Sequence, residues 1–346
     1  MQAKKIKKAA VYFSAGIGDA MLLTPLVKEL KADGYHVTGI FTSKFLVHGL
    51  FETIELLDDK MIILSKPKMV WFIGRYAFTP FDISFVNYFA AGKGNLVAAS
   101  QTSKKVITNK KVKFTYEIPE NIKFIEPETN LHDAEQNLHL YKKAGHVTEG
   151  DFHLNIKKED VSKFNLPKSY IALQAGAGNN ETPFKIWDVK NWKELITLLA
   201  KEHPDKHIVL LGDNTEIEIN KKLEGKNVVN LTGKTSLKEL LSVIQNACCF
   251  IGGDSGLMHT AVALNKPTFT IWGASNEKLY SYNGFNPIRH QIVFNTNIKC
   301  RPCSAWINAN KTRVKNPSTC PDFICLQELS SKIVYQHLQL FLTHHS

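Results

Sequence analysis

The sequence predicts an α/β protein built as two open, mostly parallel sheets, each with helices on both faces. Three observations carry this. Short apolar runs rich in β-branched and aromatic residues alternate with segments of helical periodicity, the pattern of βα units. The alternation runs once, breaks over a polar stretch at 155–168, and begins again near Tyr170. The chain of 346 residues is long enough for two domains with a core in each.

The first series opens with a strand at 11–14. Lys4, Lys5, Lys7 and Lys8 before Ala9 and Ala10 mimic a secretory signal, but the apolar run is too short and Asp19 interrupts its continuation. A helix is expected over 19–31, carrying Leu22, Leu26 and Leu30, then a strand at 37–42 and a short helix from Lys44. Strands are expected at 54–57 and 81–86, and a helix at 133–143 with Ala134, Leu138 and Tyr141 on one face. The second series has strands at 170–174, 207–211, 228–231, 249–252 and 268–272. Helices separate them at 189–199, 216–223 and 255–264, with one more marked by Leu237, Leu240, Leu241 and Ile244. Trp192, Leu195, Ile196 and Leu199 fall at i, i+3, i+4 and i+7, one buried helical stripe. The expected division is a first domain over 1–155 and a second over 165–325, with a last helix in 326–346 able to cross back to the first. Ligands of such sheets bind beyond the strand C-termini, so two facing sheets would share one cleft.

Composition narrows the class. Hydrophobic residues make up 44% and charged residues 22%, which is globular, and the net charge of +11 suits an anionic partner. The bases are scattered, without a long arm or arginine-rich tract, which argues against nucleic acid. No stretch approaches the roughly 20 apolar residues of a membrane span, so a cytosolic protein is expected. Its cysteines, Cys248, Cys249, Cys300, Cys303, Cys320 and Cys325, are then expected as thiols or metal ligands.

The most informative stretch is 250–259, Phe-Ile-Gly-Gly-Asp-Ser-Gly-Leu-Met-His. It reads as a buried strand running into a helix, where backbone N–H groups and the helix dipole favour an anion. Gly252, Gly253 and Gly256 would let a ligand approach the main chain, and Asp254 can accept from ribose hydroxyls or a base. The plainer reading makes Asp254 or Ser255 an ordinary N-cap. Met258 and His259 fall on the first turns, where His259 is either a phosphate contact or a structural histidine.

Two further loops come after first strands. The loop at 14–20 lacks a dinucleotide fingerprint, because Met21 stands at the third glycine position. With Gly16 and Gly18 it presents one carboxylate, Asp19, which is either a general base or a helix cap. The loop at 174–180 carries Gly176 and Gly178, and Lys185 comes shortly after; together they could hold a diphosphate. A solvated loop lysine is the alternative. Near the end, Cys300, Cys303, Cys320 and Cys325 have the makings of a zinc site, or are thiols packed into a loop. The aromatics Trp71, Phe72, Tyr76, Phe78, Phe81, Phe85, Tyr88 and Phe89 belong mostly to core strands and helices, or touch lipid or a lipid-linked acceptor.

Taken together these residues resemble glycosyltransferase family nine, the ADP-heptose:lipopolysaccharide heptosyltransferases. The resemblance rests on residues 16–19 with Thr24-Pro25, on Lys185-Ile186-Trp187 with Trp192, and most specifically on residues 253–259 with Pro267 and Gly273. The cysteine-rich ending is also similar, although a longer polar insert, 304–319, separates its halves. The resemblance implies a GT-B fold, two Rossmann-like domains with parallel sheets facing a central cleft. It implies Asp19 as the general base on an acceptor sugar hydroxyl and inversion at the anomeric carbon. Lys185, with donors at Ser255 and Gly256 and with His259, would neutralise the leaving diphosphate, while Asp254 holds the nucleoside. No metal or other cofactor is then expected, in keeping with the lack of an Asp-x-Asp pair. The donor would be a nucleoside-diphosphate sugar, ADP-heptose in that family. The acceptor would be an anionic glycolipid or lipopolysaccharide met at the inner membrane face. Rival readings are transfer or epimerisation of another nucleotide sugar, and a catalytically silent nucleotide- or glycan-binding module.

Overall fold

The computed structural model describes residues 6–42, 47–114, 117–128, 130–143, 145–178, 185–299, 301–302 and 324–345. The chain divides into two compact units, Met1–Lys157 and Lys158–Ser346.

The first unit runs β1 (Lys7–Phe13), α1 (Ile17–Leu22), α2 (Thr24–Ala32), β2 (Tyr35–Phe41), α3 (Val47–Leu50), β3 (Asp59–Ile62) and α4 (Lys66–Ala77). It continues with β4 (Ile83–Val86), α5 (Lys93–Thr102), β5 (Val106–Thr108), β6 (Ile122–Phe124), α6 (Asp133–His139) and α7 (Glu149–Phe152). Its six strands pair in parallel in the order β3-β2-β1-β4-β5-β6. Ala9 to Phe13 are buried throughout, as expected of a central parallel strand covered on both faces.

The second unit repeats the plan. It runs β7 (Tyr170–Leu173), α8 (Val189–Glu202), β8 (His207–Leu210), α9 (Ile217–Lys221), β9 (Val228–Asn230) and α10 (Leu237–Asn246). Then come β10 (Cys249–Gly253), α11 (Gly256–Ala263), β11 (Thr268–Ile271), α12 (Glu277–Tyr280) and β12 (His290–Val293), and after them the helices Ile324–Gln327 and Ser331–His345. The parallel order β12-β11-β10-β7-β8-β9 is the first sheet's order written from the other edge. In each unit the winding reverses between the first and fourth strands, β1 and β4 or β7 and β10. Doubly wound sheets bind ligands beyond the strand C-termini at such a reversal.

Several elements differ from the sequence expectation. The helix expected over 19–31 is two helices, because Pro25 lacks an N–H to continue the ladder; the Thr24 hydroxyl donates instead to the carbonyl of Met21, at 2.7 Å. The strand expected at 54–57 is absent. Ile54 makes an isolated antiparallel bridge to Ile156, and the edge strand is β3. The last helix, which the sequence left free to return to the first unit, has its apolar side in the core of the second. Val334, Leu338, Phe341 and Leu342 are buried there, with the Phe341 ring 5.7 Å from Phe269 of β11.

Candidate active site

In the second unit, β10 ends at Gly253 and α11 begins at Gly256, so Asp254 and Ser255 form the turn at the switch point. Ser255 is the N-cap; its Oγ accepts from the amide of Met258 at 3.3 Å. Asp254 is buried, and its Oδ2 lies 2.7 Å from Nζ of Lys185. The sequence suggests separate tasks for these two residues; the structure joins them in an ion pair. Burial pushes the Asp254 carboxyl up, but the Lys185 ammonium, a hydrogen bond from Ser275 and the nearby His259 outweigh it and hold it below the ordinary carboxylate value.

Lys185 reaches this place because its segment is pinned from both sides. Trp187 is buried, packs edge-on against Trp192 of α8 with centroids 5.0 Å apart, and donates from Nε1 to the carbonyl of Leu329 at 2.8 Å. On the other side, a Cβ added at Gly253 would stand 3.1 Å from the carbonyl oxygen of Lys185. That glycine lets one chain segment approach another.

His259, on the next turn, is also buried. Its Nδ1 lies 2.8 Å from the hydroxyl of Tyr282, a residue that no sequence pattern singles out. Burial pulls the imidazole down to about 4, against the Asp254 charge that favours the proton. His259 is therefore a neutral ring at pH 7, able to donate or accept but not to act as a cation. The Met258 side chain belongs to the core.

Gly176 and Gly178 come after β7, on the other side of the same switch point. A Cβ at Gly176 would collide with the carboxylate of Glu216, and Gly178 adopts φ +70°. Glu216 accepts from Gln174 Nε2 at 3.0 and 3.2 Å and from the amide of Asp213 at 2.9 Å. The sequence expectation places Glu216 in a helix and misses this role. The signal was present as the Asp213-Asn-Thr-Glu216 capping box. Residues 179–184 lie outside the described residues.

The first unit supplies a second cluster at its own switch point. Phe13, Ser14, Ala15, Gly16, Asp19, Ala20, Leu23 and Asn87 line one cavity. Asp19 Oδ2 accepts from the amide of Gly16 at 3.0 Å, so the capping role weighed for it is present. The loop is braced by Asn95, whose Nδ2 reaches the hydroxyls of Ser14 and Thr42 at 2.9 and 3.1 Å. Gly18 is the second residue of α1.

Sequence reasoning missed Asp133, the first residue of α6. Its side chain is half-buried. Burial, then the charge of Asp19, push its carboxyl up to about 7, against an interaction with Asn137. Asn137 joins the neighbouring elements, taking a hydrogen bond from Asn87 at 3.1 Å and donating to the carbonyl of Leu22 at 3.2 Å. These contacts link residues far apart in the chain, so no local pattern announces them.

No cluster of three metal-binding side chains occurs among the described residues. Of the four zinc candidates, Cys300, Cys303 and Cys320 lie outside the described residues, and Cys325 is buried.

Both clusters lie at the switch points of their sheets, and comparison with known proteins decides the family. The profile of glycosyltransferase family 9 (heptosyltransferase) matches residues 89–312, well over half of the chain. The chain belongs to glycosyltransferase family 9. Lipopolysaccharide heptosyltransferase 1 of Salmonella typhimurium is 28% identical over 102 residues, 30% of this chain and 32% of that protein. Lipooligosaccharide heptosyltransferase 2 of Haemophilus influenzae is 44% identical over 48 residues, 14% of either chain. The alignments thus span about a third or less of these curated relatives. Among solved structures, a family 9 glycosyltransferase of Veillonella parvula superposes with a TM-score of 0.73, at 16% identity and 99% coverage of both chains. The Escherichia coli ADP-heptose lipopolysaccharide heptosyltransferase II gives 0.70, at 17% identity over 98% of this chain and 100% of the other. An iron-containing dodecameric glycosyltransferase of Escherichia coli, TibC, gives 0.56 at 13% identity, over 100% of this chain and 78% of that one. These likenesses establish the fold of this family 9 member as GT-B, two parallel six-stranded α/β units in succession.

Proposed function

We propose that this family 9 member is an inverting, metal-independent glycosyltransferase that moves heptose from ADP-heptose onto a lipopolysaccharide-type or other surface glycan. It would work on the cytoplasmic side, at the inner face of the membrane. The observation that carries the reading is the Lys185–Asp254 pair at the N-terminus of α11, at the switch point of the second sheet. The names of the matched relatives, heptosyltransferases acting on lipopolysaccharide, support the choice of donor and acceptor class.

In this reading the acceptor hydroxyl oxygen attacks the anomeric carbon from the face opposite the leaving group. The bond from that carbon to the β-phosphate oxygen breaks, and its electron pair stays on the departing ADP. Asp19 takes the hydroxyl proton. The base needs only modest strength, because bond cleavage runs ahead of attack in oxocarbenium-like glycosyl chemistry. Most of the catalytic demand falls on the leaving group, whose negative charge grows in the transition state. An ammonium carries three donors, so Lys185 can keep one on Asp254 and direct another at a phosphate oxygen. Asp254 thereby fixes the cation in place as well as being a candidate nucleoside contact. The α11 N-terminus adds oriented amides, and neutral His259 can donate a hydrogen bond to a phosphate oxygen without adding charge.

The test is a screen of nucleoside-diphosphate sugars by calorimetry, followed by a transfer assay in the presence of a chelator. Tight binding of ADP-heptose and undiminished transfer in the chelator are expected. Preference for a different nucleotide sugar would overturn the donor, and loss of transfer restored by added metal would overturn the metal-free mechanism.

A further inference from the structure

The first unit turns an apolar helix face outward. α4 buries Phe72 and packs Met69, Ile73 and Tyr76 against the core, one stripe at i, i+3, i+4 and i+7. The opposite side carries a second stripe, Pro67, Trp71, Gly74 and Phe78, spaced i, i+4, i+7 and i+11, and all four are exposed. Trp71 is 56% exposed, Phe78 91% and the adjacent Val70 70%. Phe78 caps the helix with helical backbone angles, so the stripe runs its full length. Single exposed apolar residues are ordinary; a continuous stripe containing tryptophan and phenylalanine marks a contact surface.

Charge says what covers it. Residues 60–81 contain Lys60, Lys66, Lys68 and Arg75 and no acid. Arg75 extends beside the stripe, its guanidinium 5.6 Å from the centre of the Trp71 ring and 5.7 Å from that of Tyr76. A helix with an apolar stripe, an aromatic at its edge and flanking bases has the composition of an element lying in the headgroup region of an anionic bilayer. A two-fold dimer through the same face would set these bases against their own copies.

We propose that α4 docks this protein on an anionic phospholipid surface. Trp71 and Phe78 enter the boundary between headgroups and acyl chains, and Lys66, Lys68 and Arg75 meet the headgroup phosphates. The proposal deepens the reading of a lipid-borne acceptor. It is tested without donor or acceptor, so it and the transferase reading fail separately.

The experiment is co-sedimentation of the full chain with phosphatidylcholine vesicles, with and without phosphatidylglycerol. Binding about tenfold or more tighter to the anionic vesicles is expected, weakening with salt. The W71S/F78S and K66E/K68E/R75E variants should each lose about tenfold, with thermal unfolding unchanged since the substituted side chains face solvent. Brominated lipid should quench the wild type more than W71F, because among the described tryptophans Trp187, Trp192 and Trp272 are buried and Trp71 is exposed. Equal binding to both vesicle types, variants that bind as well as wild type, or quenching unaffected by W71F would each overturn the proposal. So would lipid-free self-association that W71S/F78S abolishes, since that makes a second copy the occupant.

Discussion

Removing one member of the Lys185–Asp254 pair tests whether the second unit is organised around it. The charges are 2.7 Å apart, with the side chains only 15% and 6% exposed, so water screens them weakly. Breaking a buried pair by deleting one partner costs about 3–5 kcal/mol, against about 0–1 kcal/mol for a surface pair. Because Lys185 keeps an edge in water, the lower end applies, and Asp254→Asn or Lys185→Met should each cost about 3 kcal/mol. The double variant removes both charges and should cost little more than either single change, a coupling of about 2–3 kcal/mol. Urea unfolding followed by tryptophan fluorescence reads this, since Trp187, Trp192 and Trp272 are buried in the same unit. Single effects below about 1 kcal/mol that simply add in the double variant would refute the reasoning.

Three further outcomes are expected from the same geometry. His259 stays neutral down to about 4, whereas an unfolded histidine takes up its proton near 6.5. At this site the unfolded chain therefore binds more protons between those values; the contribution of His259 to stability should fall as pH drops through that window, by up to about 3 kcal/mol, and be flat above it. His259→Asn should lose this slope, and a difference between wild type and variant that does not change with pH would contradict it. Asp133, with its carboxyl near 7, gains charge beside Asp19 as pH rises, so kcat/KM should climb through that pH. Asp133→Asn should flatten the rise and stay near the low-pH level; an unchanged profile would remove Asp133 from the account. Leu338 is fully buried, so Leu338→Ala should cost about 2–5 kcal/mol in urea unfolding, and a cost below about 1 kcal/mol would mean the last helix is not part of the core.

The sheets were legible because central parallel strands such as Ala9–Phe13 and Cys249–Gly253 are apolar on both faces and end in glycine-containing turns. α4 was not, because apolar residues lie on both of its sides and blur the helical period. β5 and β6, three residues each, are too short to show any period. At the site, Asp19, Lys185 and the 253–259 turn stood out as charged or glycine-rich loops after strands. Their partnerships did not. Lys185 meets Asp254 across 69 positions, and Glu216 supports Gln174 across 42, distances in sequence that only the sheet order closes. The glycines illustrate the same limit. In sequence Gly253 and Gly176 suggest room for a ligand, yet each sits where another part of the protein, the Lys185 carbonyl or the Glu216 carboxylate, comes close.

In the proposed reaction the labour is divided, with proton removal by Asp19 and diphosphate binding at Lys185. Calorimetric ADP affinity and transfer rate, measured side by side on Asp19→Ala and Lys185→Ala, test it most directly. Asp19→Ala should bind ADP like wild type while turnover falls by about 10²–10⁴-fold, and Lys185→Ala should weaken ADP binding by about tenfold or more. An Asp19→Ala protein that transfers at the wild-type rate, or a Lys185→Ala protein with undiminished ADP affinity, would overturn this division.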